Sequence, residues 1–373
     1  MNKKEIGLYI HIPFCRHKCD YCDFISFANK EDKIEQYIKQ LKEEINQERL
    51  EQYKITTIYI GGGTPSFIQS KYILEILKLI NKKDTEEITI EINPGTVTKE
   101  KLQDYYKVGI NRLSIGLQST DNNILKQIGR IHTYEQFLET YNLARDVGFT
   151  NINIDLMIGL PNQELSNLEQ SLEKIIELKP QHISVYSLIL EEGTKLEKQV
   201  RDGLLKPPDE IKERKMYWLV KNKLEEAGYK HYEISNFAKE GFEAKHNSNC
   251  WEQEEYIGVG LAAHSYINKT RYSNINNFQK YLNNIKGNRT IHEIQNEEMQ
   301  RKEYIMLGLR KIEGVNIQKF KHKFIENPIY LYREELNKLF KNNLIEIDAN
   351  YIKLTKKGID LANLVWEEFV WKI

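Results

Sequence analysis

The chain has 373 residues, enough for one large α/β domain with an appendage or for two ordinary domains. Hydrophobic residues make up 40% and charged residues 29%, the balance of a soluble globular protein. Lysine plus arginine and aspartate plus glutamate both number 54, and this zero net charge argues against nucleic acid as the main partner.

The opening "GLYIHI" (7–12) reads as a first β-strand, and not as a signal peptide, because no small-residue cleavage site follows it. No apolar run is long enough to span a bilayer. "FCRHKCDYCDF" comes next, with Cys15, Cys19 and Cys22 in the pattern C-x3-C-x2-C. Three of the four cysteines clustered in this way suggest a metal site in a reducing compartment, hence the cytoplasm. Thiolates on one tight loop can all face one centre, with Arg16, His17 and Lys18 offsetting their charge. They would fill three corners of a [4Fe–4S] cluster and leave one iron open. A Cys3His zinc site using His11 or His17 is the alternative, and free structural cysteines are another.

Further β-rich runs follow: "TTIYIGG" (56–62), "EITIEIN" (87–93), "RLSIGLQ" (112–118), "NINIDLMIGL" (151–160) and "HISVYSLIL" (182–190). Amphipathic stretches such as "DKIEQYIKQLKEEINQ" and "SKYILEILKLINK" separate them. This repeated strand-then-helix order predicts an α/β fold with a parallel sheet and crossover helices. A partial, open (β/α)6 barrel and a doubly wound sheet both satisfy it. "GGGTPS" (61–66) lies at the C-terminal end of the second strand, the edge where such folds bind ligands. Its glycines let the backbone approach a ligand closely, although a plain tight turn is the alternative. The same edge collects Glu91, Gln118 and Asp155, polar residues that are costly inside apolar strands unless paired. Arg130 could offer a cation to a carboxylate.

Beyond residue 200 a proline pair, Pro207 and Pro208, precedes a long helix, and "KHYEISNFA" reads as a further strand. "GVGLAAHSY" reads as a Gly- and Ala-rich turn. From 297 the pattern is three helices, then "LIEIDANYIKLT" with a hairpin turn at Asp348, Ala349 and Asn350, then a last helix. That order suggests a small α+β, winged-helix-like module. The expected divisions are 1–235 for the barrel core, 236–296 for a connecting segment and 297–373 for the C-terminal module.

A strand running straight into a triple-cysteine loop resembles the radical S-adenosylmethionine (SAM) superfamily. "YIHIPFC", "GGGTPS", "EINPGT", "RLSIGLQS", "LKQIGRIHT", "DLMIGLPNQ" and "YSLILEEGT" resemble, in order and spacing, its oxygen-independent coproporphyrinogen oxidase-like family. "HYEISNFA", "HNSNCW" and "GVGLAAHSY" resemble the heme-chaperone branch of that family. The resemblance implies the partial (β/α)6 barrel. It implies a cluster on Cys15, Cys19 and Cys22, with SAM as the remaining ligand of the open iron. It also implies SAM contacts from Tyr9, Gly62 and Glu91, and a second SAM-binding region lined by Tyr21, Gly63, Thr64, Gln118, Arg130 and Asp155. His11 would orient the cluster.

Two departures separate the chain from the oxidase. Asp23 and Phe24 follow Cys22, where the oxidase carries a further cysteine. The oxidase's extra N-terminal region is also not expected. Both fit the heme-chaperone branch, whose H-N-x-x-Y-W motif stands here as "HNSNCW" with Cys250 in place of tyrosine. The resemblance then implies heme as cargo, membrane-bound hemoproteins as acceptors, and at most a peripheral membrane contact. His246 is the candidate axial ligand, with Cys250 as the alternative, Trp251 packing on the macrocycle and His264 a weaker candidate. The bland reading of the same motif is loop hydrogen bonding and a small buried cysteine. A radical SAM enzyme acting on a porphyrinogen is the competing function. The sequence leaves the oligomeric state open.

Overall fold

The computed structural model of the chain describes residues 3–207, 209–283 and 289–370; Pro208 of the proline pair lies outside them. Six parallel strands run in sequence order: β1 (Lys4–Ile12), β2 (Tyr53–Gly62), β3 (Glu87–Ile92), β4 (Arg112–Gln118), β5 (Ile152–Ile158) and β6 (His182–Ser187). Sequential order excludes a doubly wound sheet, in which the order reverses at a switch point. The helices between them are α1 (Ile34–Gln47), α2 (Ser70–Lys78), α3 (Lys99–Val108), α4 (Asn122–Gln127), α5 (Tyr134–Val147) and α6 (Leu165–Leu178). α7 (Lys195–Arg201) and α8 (Glu210–Glu226) follow β6.

One physical pattern organises all six strands. Leu8, Ile10, Ile58, Ile90, Leu113 and Ile154 point outward into a single apolar core, which the helices cover with residues such as Tyr37, Ile76, Tyr105, Phe137 and Leu172. The alternate positions point inward and are largely polar: Thr57, Glu87, Thr89, Arg112, Ser114, Asn153, His182 and Ser184 are all buried. A flat sheet would place β2 and β6 about 19 Å apart. Ala244 N nevertheless donates to the Tyr232 hydroxyl, 2.8 Å from His182 of β6, and two residues on His246 lies 2.9 Å from Thr57 of β2, so the sheet is curled into a trough.

The 236–296 segment, read above as a connector, supplies strands to both edges of this sheet. The hairpin of β7 (Lys230–Glu233) and β8 (Asn236–Ala238) adds to β6. α9 (Lys245–Trp251) carries the HNSNCW motif. β9 (Tyr256–Val259) pairs parallel with β1, and β10 (His264–Ile267), β11 (Thr270–Asn274) and β12 (Arg289–Ile294) continue antiparallel. The end strands β12 and β7 are not paired with each other, so the barrel is open.

The C-terminal module has its own apolar core, which includes Ile305, Phe320, Leu336, Ile352 and Phe369. α10 (Phe278–Asn283) still packs into the barrel core through Tyr281 and Leu282, and the module itself comprises α11 (Glu297–Gly308), α12 (Ile317–Phe324), α13 (Pro328–Leu331) and α14 (Arg333–Lys341). A small sheet of β13 (Val315–Asn316), β14 (Ile345–Ile347) and β15 (Tyr351–Leu354) completes the wing, with the expected turn at 348–350. Ion pairs join it to the barrel, Arg310 with Glu233 at 2.9 Å and Arg271 with Glu303 at 2.7 Å, and Ile359 packs against the barrel core. Among the described residues, no helix is long and apolar enough to cross a membrane.

Glu44 of α1 locks the β9–β11 edge against the barrel. Its buried carboxylate accepts from Gly260 N at 3.0 Å, Asn274 Nδ2 at 2.6 Å and the Tyr281 hydroxyl at 2.6 Å. Glu44→Ala leaves Gly260 N and the Tyr281 hydroxyl without that acceptor and Asn274 Nδ2 with only Gly260 O, and should lower stability by about 3 kcal/mol. The urea midpoint measures it, and a change under about 1 kcal/mol would show that the edge is held otherwise.

Candidate functional site

The loop after β1 is fastened at both ends. Cys15 N donates to Phe27 O at 2.9 Å, and Phe27 N donates to Pro13 O at 2.8 Å. Inside it, Cys22 N donates to Cys19 O at 3.1 Å, turning the second and third cysteines toward each other. Asp20 is clamped from behind: its amide donates to Ile128 O, its carboxylate pairs with Lys195 at 2.9 Å, and its carbonyl accepts from Leu196 N. All four cysteines are free thiols.

The glycine turn packs directly on this loop. Gly63 N donates to Ile12 O at 2.9 Å and Thr64 N to Phe14 O at 2.8 Å. A Cβ on Gly63 would fall 2.9 Å from Phe14 O and 3.0 Å from Cys15 Sγ. Gly62 has φ +115°, and a Cβ there would meet the His11 ring at 2.6 Å. The glycines are therefore required by backbone approach, as the sequence suggested, and what they approach is the cysteine loop.

A chain of side chains joins two of the sulfurs. Thr64 Oγ1 donates to Cys15 Sγ at 3.5 Å, Asn93 Nδ2 donates to Thr64 Oγ1 at 2.8 Å, and Arg130 Nη2 donates to Asn93 Oδ1 at 3.0 Å. Arg130 Nη1 then donates to Cys19 Sγ at 3.5 Å, and its other amine reaches Gly116 O. A cleft lined by Arg16, His17, Cys19, Thr64, Asn93 and Arg130 opens on this side. Asn93 lies two residues beyond Glu91 on the same strand edge and was not singled out by the sequence reading.

Deeper in the trough, Glu91 accepts from the Tyr59 hydroxyl at 2.8 Å and from Gly62 N at 3.1 Å. Burial raises its carboxyl to about 7 even against these donors. Tyr59, a second residue the sequence reading missed, stacks on Tyr9 with centroids 6.3 Å apart. Tyr9 OH and His11 Nδ1 are 2.9 Å apart, and His11 Nε2 lies 2.9 Å from Ile25 O. Both imidazole nitrogens are thus engaged by partners other than sulfur, which speaks against His11 in the Cys3His alternative, and burial lowers the ring's pKa to about 4. Asp155 accepts from Asn153 Nδ2 at 2.7 Å and from Ser114 Oγ at 3.2 Å, and burial raises its pKa. Tyr21 is raised by burial and feels Arg130, Cys19, Cys22 and Asp155. Gln118 ends β4 with φ +72°, its amide beside Gly116. Tyr9, Tyr21, Gly62, Gly63, Thr64, Glu91, Gln118, Arg130 and Asp155 therefore share one end of the trough with the three cysteines.

His246 does not. It lies on the trough floor, its ring against Gly7 and 5.4 Å from Tyr59. The N–H groups of Lys245 and His246, at the start of α9, donate to the Glu87 carboxylate at 2.9 and 3.1 Å. His246 Nδ1 is 2.9 Å from Thr57 Oγ1, and burial lowers the ring's pKa to about 4. Burial pushes the Cys250 thiol up to about 11. Arg310 stacks on the Trp251 ring at 4.5 Å, and His264 stacks on His292 at the far sheet edge.

The donor set suits an iron–sulfur cluster. Burial raises the Cys15 thiol and lifts Cys22 to about 11, and the neighbouring Cys19 adds to both. Thiols so placed stay protonated when bare, and a polycationic core is what would hold them as thiolates.

Residues 9–175 match the family model of the radical SAM superfamily, and 296–361 match that of the HemN C-terminal domain. The chain is 39% identical to the heme chaperone HemW of Lactococcus lactis, over 99% of this chain and 98% of that one. It is 38% identical to the heme chaperone HemW of Bacillus subtilis, over 98% and 99%. The solved coproporphyrinogen III oxidase (HemN) of Escherichia coli superposes with a TM-score of 0.85 over 98% of this chain and 90% of that one, at 23% identity, and so shares the fold. The radical SAM fold implies a [4Fe–4S] cluster and SAM. Cys15, Cys19 and Cys22 would hold the cluster, which when bound offers one iron free of cysteine to SAM.

Two outcomes follow from this geometry. Gly63→Ala should fold but load little iron, because the new methyl group displaces Cys15; iron per chain equal to the parent would refute that packing. The Glu91 proton is held more tightly in the folded than in the unfolded chain. Its stabilisation is complete below about pH 4.5 and is lost as pH rises through about 7. Between those values Glu91→Gln, which does not titrate, should gain on the cofactor-free parent by about 3 kcal/mol in urea unfolding. A stability difference that stays flat with pH would mean that Glu91 is ionised throughout.

Proposed function

Because the chain belongs to the HemW family of heme chaperones within the radical SAM superfamily, we propose that it is a cytoplasmic heme carrier. It binds heme, keeps a [4Fe–4S] cluster with SAM on Cys15, Cys19 and Cys22, and delivers heme to membrane-bound hemoproteins. The observation that carries this reading is the near-end-to-end similarity to two HemW proteins, together with the Asp23–Phe24 pair where the oxidase has its further cysteine. The same pair speaks against oxidative decarboxylation of coproporphyrinogen, the alternative activity. Tyr9, Gly62 and Glu91 contact the SAM on the cluster, and Tyr21, Gly63, Thr64, Gln118, Arg130 and Asp155 line the adjoining region.

Heme is cargo, and its axial ligand is assigned to His246. The neutral imidazole has Nδ1 tied to Thr57, which leaves Nε2 as the lone pair for iron. In the floor position that ring is covered, so ligation requires α9 to withdraw from Glu87 and Gly7. The polar attachment of α9 suits such a movement better than an apolar one would.

An anaerobic heme titration of the parent, His246→Ala and Cys250→Ser, followed by absorbance, tests this. Saturable binding at one heme per chain is expected, weakened roughly tenfold or more in His246→Ala and unchanged in Cys250→Ser. Absence of saturable binding by the parent would end the carrier reading and turn attention to SAM cleavage.

A further inference from the structure

Arg112 is the first residue of β4 and points into the trough. It is 2% exposed, and among the described residues it makes no side-chain hydrogen bond and no ion pair. Its Nε is fully buried without a partner. The hydroxyl of Thr89 is buried and unpartnered in the same way. These two residues are direct register partners across β3 and β4, and Tyr59 is the register partner of Thr89 on β2. The row Tyr59–Thr89–Arg112 lies one layer beneath Glu91.

The charge of Arg112 is felt across the trough, by Asp155, His182 and His246. None of these satisfies it. Asp155 is bonded by Asn153 and Ser114, and Glu87 is taken by the α9 amides. A buried guanidinium without a hydrogen-bond partner is costly; it presents only donors, and the orphaned hydroxyl beside it can add one more. Such a pair fits a planar anion, since a guanidinium fork and one hydroxyl match the two oxygens of a carboxylate.

We infer that Arg112 and Thr89 form a carboxylate-binding subsite on the inner wall of the trough, below Glu91. The inference rests on the proposed function for its ligand: heme carries two propionates, whereas the methionyl carboxylate of SAM is committed to the open iron at the other end of the strands. The subsite takes one propionate and thereby fixes how deep the heme sits.

The test measures anaerobic dissociation constants of the cluster-loaded protein for heme, heme dimethyl ester and, as a control, SAM. It compares the parent with Arg112→Gln and with Thr89→Val, which keeps the side-chain shape. Arg112→Gln should weaken heme binding roughly 10- to 100-fold and leave the dimethyl ester and SAM unchanged. Thr89→Val should do the same to a smaller extent. An unchanged ratio of heme to dimethyl ester affinity in both variants would overturn the subsite and leave the carrier reading standing. A parent that binds no heme would remove both.

Discussion

Most of the inward-facing residues of six buried parallel strands are polar, and the cost of burying those groups shapes the rest of the structure. Larger parallel barrels fill their interior with branched apolar side chains. Here the interior holds Tyr59, Glu91, Arg112, Asn153, Asp155 and His182, while the apolar alternates face the helices. Such an interior persists only if its groups are paired or meet a ligand. Pairing dominates on the floor, where Asn153 joins His182, Ser184, Ser114 and Asp155 in one network. Toward the strand C-termini the donors point instead at sulfur and at open space, and there the cysteine loop lies.

The glycine turn is where these two requirements meet. It brings the backbone of 62–64 against that of 12–15, so the third strand's carboxylate and the cysteine loop share one wall. Its consequence is mechanical: a side chain at Gly62 or Gly63 would push on His11 or Cys15 before it touched any ligand. The thread from Cys15 through Thr64, Asn93 and Arg130 to Cys19 then spans the mouth of the barrel. At the opposite end α9 stops the floor with a helix N-terminus on Glu87, a favourable contact of amide dipoles with a carboxylate. The C-terminal module meets this end of the barrel through ion pairs of Arg310 with Glu233, Lys311 with Glu252 and Arg271 with Glu303.

The sequence showed the cysteine triad, the glycine turn, Glu91 and the six strand segments, because spacing and position at strand ends carry those signals, while the order of the strands in the sheet followed only from the family resemblance. Tyr59, Asn93, Thr89 and Arg112 were not legible. In a strand buried on both faces an inward tyrosine or threonine reads like any β-former, and an arginine at a strand's first position reads like a loop residue. Only the curl of the sheet, which brings β2 toward β6, turns them into one wall. The strands β9 to β12 escaped for another reason. They are short, and β9 joins β1 in parallel across more than two hundred residues of chain, a pairing with no local signature. The HNSNCW segment was legible as a motif, but its place on the floor depends on Glu87 and Thr57, which lie far away in sequence.

The central claim is that the three thiols and the strand-end wall hold one cluster and present it to SAM. Anaerobic reconstitution tests it most directly, by counting iron and sulfide per chain and recording the paramagnetic resonance of the reduced protein with and without SAM. About four irons and four sulfides per chain, with a signal that shifts when SAM is added, is the predicted result. A single zinc or iron per chain, or a cluster signal indifferent to SAM, would contradict it.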